Sequence, residues 1–131
     1  MENYTTLEQS RKLVGLGLDP KTADMYYYQD FINNDKKYEV GILKHEYNAN
    51  THSHKEGMTV PCWSIGQLIK LMPKRIECGE LMIDTPDNDW YIVYFDWAGE
   101  HHGPKERKKE LNDSCINMIV WLLENGYIKR V

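Results

Sequence analysis

The side chains of this chain that could do chemistry are scattered. His45, His52, His54 and Cys62 fall in or beside one polar segment, and Glu100-His101-His102 follows further along. A His-x-His step on an extended chain puts both rings on one side, and zinc takes four nitrogen or sulfur ligands in a tetrahedron. The spacing here matches no closed structural site, and Cys62 has no Cys-x-x-Cys partner. His45-Glu46 fails as the start of a metalloprotease motif, because the second histidine would fall at Ala49. Gly99 and Gly103 flank Glu100-His101-His102, which reads as an exposed loop. No metal or other cofactor is therefore assigned. A metal-dependent enzyme using His45, His52, His54 or His101 and His102 stands as the alternative function.

Other constellations fail on spacing. Asp84, Asp87 and Asp89 suggest calcium, but a calcium-binding helix–loop–helix needs glycine at its sixth loop position. Counting from Asp84 that position holds Asp89, and counting from Asp87 it holds Ile92. Cys115 lies in the first turn of a predicted helix, where the dipole would favour a thiolate, yet it shares the apolar face. Cys62, beside Trp63, has no histidine placed to form a dyad. Gly15-Leu16-Gly17 lacks the third glycine of a dinucleotide fingerprint, since Pro20 stands there, and no strand precedes it. No catalytic residue is assigned. Lys105, Arg107, Lys108 and Lys109 make a local cationic run, with Trp97, His101 and His102 upstream. Glu106 and Glu110 interrupt and close it, so a solvated approach to a helix is the simpler account, and a nucleic-acid accessory role is the weaker alternative.

Composition agrees with the lack of a reactive motif. The chain has 131 residues, 41% hydrophobic and 27% charged, with a net charge of −4. That fits one domain over residues 1–131, with enough length to bury a core unaided. A mildly acidic chain offers no global field for nucleic acid or an anionic membrane. The beginning of the chain lacks a basic segment followed by an apolar one, so no signal peptide is expected. The apolar run Met118–Leu123 is far short of the ~20 residues of a span, so no membrane association is expected. The cysteines, three in number, read as free thiols in a reducing cytoplasm.

The elements that would position these groups follow from caps and periodicity. A helix is predicted from Leu7 to Leu16, with Thr5 and Glu8 as a capping box and Gly17 in the left-handed closing position. Asp19-Pro20 starts a short helical turn. The aromatic run Tyr26–Phe31 reads as extended, and Tyr38, Val40 and Ile42 alternate as a strand. His45–Gly57 reads as a surface loop, and Pro61 as a break. Ser64 and Gln67 form a second capping box, opening a helix through Ile65, Leu68, Ile69 and Met72 that Pro73 stops. Leu81–Thr85 and Trp90–Phe95 form a hairpin across Pro86–Asp89. Ala98–Lys109 reads as a polar loop. Asn112 or Asp113 caps the last helix, whose stripe is Ile116, Ile119, Val120 and Leu123, widened by Cys115 and Leu122. Asn125-Gly126 ends it, with Tyr127 and Ile128 packing back. The expected fold is α+β: a small antiparallel sheet of about three strands, including the hairpin over 81–95, packed with three helices.

That hairpin bears on function. Trp90, Ile92 and Tyr94 share one face, and Tyr91, Val93, Phe95 and Trp97 the other. A half-exposed antiparallel strand should be apolar on one face only. Cover by the chain's own helices is the first expectation. A partner face is the second, because Trp and Tyr are enriched at binding hot spots.

Several stretches carry a resemblance. They are Thr6-Leu7-Glu8-Gln9-Ser10 with Leu18 and Thr22-Ala23-Asp24-Met25; Pro61-Cys62-Trp63-Ser64 with Leu68 and Leu71-Met72-Pro73; and Trp121 through Ile128. Together they resemble a group of small uncharacterised proteins encoded by gut anaerobes and by their prophage-like or mobile elements. The likeness spans most of the chain and implies a cytoplasmic accessory protein. It transfers no activity and no functional residue. The function expected is thus a non-enzymatic interaction or accessory module. It would meet a protein partner or a second copy of itself through Trp90, Tyr91, Trp97, His101 and His102.

Overall fold

The computed structural model describes residues 3–29, 38–42, 59–77 and 79–131. His45, His52, His54 and Cys78 lie outside them, as does the loop read at His45–Gly57.

Thr6, not Thr5, opens helix α1 (Leu7–Gly15). Its hydroxyl accepts from the Gln9 N–H at 3.1 Å, and Gln9 Oε1 accepts from the Thr6 N–H at 3.0 Å. The capping box sits one residue later than Thr5 and Glu8 predict. Burial decides between two adjacent threonines: Thr5 is fully enclosed and its hydroxyl serves the interior. It lies 2.7 Å from Ser10 Oγ and accepts from the Trp63 N–H at 3.1 Å. The helix closes as predicted. Gly17 has φ +97°, and the Leu18 and Gly17 N–H groups reach back to the Leu13 and Val14 carbonyls at 3.0 Å. Leu13 and Leu18, at the ends of that motif, are both buried. One 3-10 turn follows (Pro20–Thr22), capped by Asp19.

Strands β1 (Met25–Gln29), β2 (Tyr38–Ile42) and β3 (Thr59–Cys62) form an antiparallel sheet in the order β2-β1-β3. Pro61 does not break the chain: it lies within β3 opposite Tyr26. β3 is an edge of the described sheet, which is where a strand tolerates a missing N–H. Helix α2 (Ile65–Leu71) starts at Ser64, whose hydroxyl accepts from the Gln67 N–H at 3.2 Å. The second half of the predicted box is made by another residue. Asp24 accepts from the Ser64 N–H at 2.8 Å and from its hydroxyl, while the Gln67 amide donates to the Thr22 carbonyl at 2.7 Å. Met72 is extended, as the residue before Pro73 prefers, so α2 stops one residue short of the predicted end.

The second sheet is antiparallel in the order β4-β5-β6-β7, from β4 (Arg75–Ile76), β5 (Gly79–Asp84), β6 (Tyr91–Phe95) and β7 (His101–His102). Its centre is the predicted hairpin, turned at Pro86–Asn88 with Asp87 and Asn88 at φ +52° and +66°. Among the described residues the fold is therefore α+β with three α-helices, but the strands divide between sheets of three and four rather than forming one of about three. The difference has a physical cause. β4 and β7 are too short to show a period of two, and β3 carries a proline.

Helix α3 (Leu111–Glu124) begins after Glu110, with no side-chain cap. Asn112 and Asp113 sit in its first turn and tie it elsewhere. The Asn112 amide donates to the Tyr4 carbonyl at 2.8 Å, and Asp113 Oδ1 accepts from Gln9 Nε2 at 3.0 Å. Cys115, Ile116, Ile119, Leu122 and Leu123 are buried against Leu13, Leu18, Trp63, Leu68 and the inner face of β6, Ile92 and Tyr94. Gly126, at φ +76°, ends α3 in the same closing motif as α1, with the Tyr127 N–H on the Leu122 carbonyl at 2.9 Å. Tyr127 stacks on Trp121 at 5.5 Å. No helix among the described residues is long and apolar enough to cross a membrane.

Candidate functional site: the aromatic face and turn of the second sheet

Among the described residues, the helices pack the face of β6 that carries Ile92 and Tyr94. Tyr91, Val93 and Phe95 point the other way and share that outer face with their cross-strand partners Asp84, Met82 and Glu80 on β5. Phe95 is 44% exposed, while Val93 is fully buried. The exposed His101 ring lies 5.8 Å from Tyr91 and 5.4 Å from Phe95. The expectation that helices cover the hairpin holds for the inner face; on the outer face Val93 is buried and Phe95 is left half-exposed.

Trp97 is not a strand residue. It sits in the turn joining β6 to β7 and is 99% exposed. Asp96 builds that turn. Its Oδ1 accepts from the Ala98 and Glu100 N–H groups, both at 2.9 Å, and the Gly99 N–H reaches its carbonyl at 3.1 Å. Its Oδ2 lies 2.7 Å from His102 Nε2. The His102 hydrogen bond, with the two backbone donors, holds the Asp96 carboxyl below its ordinary value of 3.8. The indole is thus displayed from a turn whose backbone is fixed.

A cleft of about 380 Å³ opens beside Trp97, lined also by Arg75, Ile76, Glu77, Gly79, Glu80 and Asp96. Gly79 forms its floor at φ +155°, so close to β6 that a Cβ would lie 2.1 Å from the Phe95 carbonyl oxygen. Only glycine permits this approach. Arg75 is tied to Glu80 at 2.8 Å.

The structure gathers some of the predicted site residues and separates others. Tyr91 and His101 meet on the outer face, with Phe95 between β5 and β7. His102 turns to Asp96. Trp90 lies apart: its backbone pairs with Lys108, and its carbonyl accepts from Ser114 Oγ at 3.0 Å. The carboxylates of the cleft, and Asp96 as the builder of the turn, were missed at the level of sequence. Asp96 and Gly99 stand at the first and fourth positions of a four-residue turn, a pattern that marks such turns.

Asp96, Glu100 and His102 each offer one ligand atom, all within 4.8 Å of one another. This set draws on the Glu100-His101-His102 stretch but uses only one of its histidines. The basic run is internally balanced: Arg107 pairs with Asp87 at 3.2 Å, Lys108 with Glu106 at 3.0 Å and Lys109 with Asp89 at 2.9 Å. Cys62 and Cys115 are fully buried, and burial pushes the Cys115 thiol up to about 12. Neither can serve as an accessible nucleophile. Comparison with family models, curated proteins and solved structures returns no match.

Proposed function

We propose that the chain is a non-enzymatic, cytoplasmic protein-interaction module that docks a partner through the turn at Trp97 and the outer face of the second sheet. The supporting observation is Trp97 itself: an indole 99% exposed, on a turn held by Asp96, beside a half-exposed Phe95. A large apolar ring left in water gains by leaving it on binding, and a turn already held by hydrogen bonds adds little backbone ordering cost, which suits an interface anchor. The resemblance to small uncharacterised proteins of gut anaerobes and their prophage-like or mobile elements would imply an accessory role of this kind. The test is selection of displayed peptides on the wild-type chain with Trp97→Ala as the counter-selection. Enrichment of peptides that bind wild type and not the variant is expected. Peptides that bind both alike, or no enrichment, overturn the reading.

A second reading, a divalent-metal site, has one observation in its favour: the convergence of Asp96, Glu100 and His102. Mixed nitrogen and oxygen ligands suit zinc or a neighbouring transition metal. The same three residues are already accounted for by the turn they hold together. Equilibrium dialysis of untagged protein against zinc separates the two. Stoichiometric uptake lost in His102→Ala supports a metal site, and indifference of uptake and melting to zinc removes it.

A further inference from the structure

We infer that the cleft beside Trp97 receives an arginine side chain of the partner; the inference rests on the docking role just given. Three carboxylates, Glu77, Glu80 and Asp96, line the cleft against one guanidinium, that of Arg75. Arg75 is committed to Glu80 at 2.8 Å and Asp96 to its turn and His102, so Glu77 is the carboxylate left to meet a ligand. Trp97, whose side chain is exposed, is one of the lining residues. An aromatic face beside surplus carboxylate is the surroundings a guanidinium seeks: the plane stacks on the ring while the fork bonds the acid. An acidic ligand is disfavoured by the sign of the cleft. The occupant has the opposite sign to the chain as a whole, whose net charge is −4.

The probe is a labelled acetyl-Gly-Arg-Gly-Arg-Gly-amide peptide followed by fluorescence anisotropy at low salt, with the lysine and citrulline versions alongside. Tightest binding by the arginine peptide is expected. It should weaken about five-fold or more in Trp97→Ala and in Glu77→Gln, both checked for native circular dichroism. Glu124→Gln, on the exposed end of α3, should change nothing and reports any general attraction to an acidic protein. Equal binding by the citrulline peptide, or equal losses in Glu77→Gln and Glu124→Gln, overturns the inference. Trp97-dependent peptides that emerge from display without enriched arginine leave the docking role standing and remove the arginine. Failure to recover any Trp97-dependent peptide removes the docking role itself.

Discussion

Thr5 and Trp63 hold each other through reciprocal bonds. The Thr5 N–H donates to the Trp63 carbonyl at 2.9 Å, and the Trp63 N–H donates to the Thr5 hydroxyl at 3.1 Å. Both residues are fully buried. They join the segment before α1 to the segment before α2, far apart in the chain, and Thr5 also binds Ser10 while the Tyr27 hydroxyl donates to its carbonyl at 2.8 Å. Thr5→Val keeps the volume but leaves the Trp63 N–H and Ser10 hydroxyl without a partner in the interior. It should cost about 1–3 kcal/mol. Thr6→Ala, which removes only the cap, should cost about 1 kcal/mol. Urea unfolding of both variants checks the ranking, and a larger loss in Thr6→Ala would contradict it.

Gly79 cannot accept a side chain. Gly79→Ala must move a Cβ placed 2.1 Å from the Phe95 carbonyl oxygen and also strains the backbone at φ +155°. A loss of about 2 kcal/mol or more is expected. At roughly 4 °C per kcal/mol, the melting temperature should fall by about 8 °C or more. An unchanged melt would mean that β5 and β6 lie further apart.

Trp97 stabilises nothing that the fold shows. Trp97→Ala should unfold within about 0.5 kcal/mol of wild type, while the emission of the wild-type chain should lose its most red-shifted, most quenchable component in the variant. A strongly destabilised variant would place the indole inside the structure.

The Asp96 carboxyl is held below its ordinary value of 3.8, first by His102 and then by the turn's backbone donors. A depressed carboxylate contributes stability above its unfolded value and loses it as the pH falls through the folded one. Stability should thus decline as the pH falls below about 4, and Asp96→Asn should flatten that part of the decline. Thermal melts across the acid range decide it; parallel acid limbs would detach Asp96 from the effect.

The opposite sign applies to Cys115. Its thiol is raised to about 12 from 9.0 by burial. Stability is complete below pH 9 and falls between about pH 9 and 12, where the unfolded chain ionises and the folded one does not. Alkylation followed by peptide mapping at pH 8 should leave Cys62 and Cys115 unmodified until denaturant is added. Modification of either in the native chain would show that its site opens.

What was legible in the sequence followed from strong local signals. The stripe of α3, with Asn125-Gly126 behind it, gave that helix and its closing turn, because periodicity and a left-handed glycine both act within a few residues. Proline and turn residues over Pro86–Asp89 gave the hairpin. The Thr5–Thr6 ambiguity was not resolvable locally, since only the distant Trp63 determines which hydroxyl faces inward. Asp24 completes the Ser64 cap from a different element, so no spacing reveals it. Strands β4 and β7 exist because β5 and β6 offer them edges. As for the surface, alternation identified the outward set Tyr91, Val93 and Phe95, while His101, read as part of a loop, joins them through β7. Alternation misplaced Trp97, because Asp96 turns the chain before the pattern can continue, and Arg75, Glu77 and Glu80 reach the cleft only through sheet pairing.

The brevity of the outermost strands shapes what this protein can accept. β4 and β7 each contribute two residues to the margins of the second sheet. Along either of these two-residue strands an incoming backbone would find too few amides and carbonyls to zip alongside. Recruitment by lengthening the ladder is thereby disfavoured, as is stacking of identical molecules rim to rim. At the margins of this sheet, a guest must be read by its side chains.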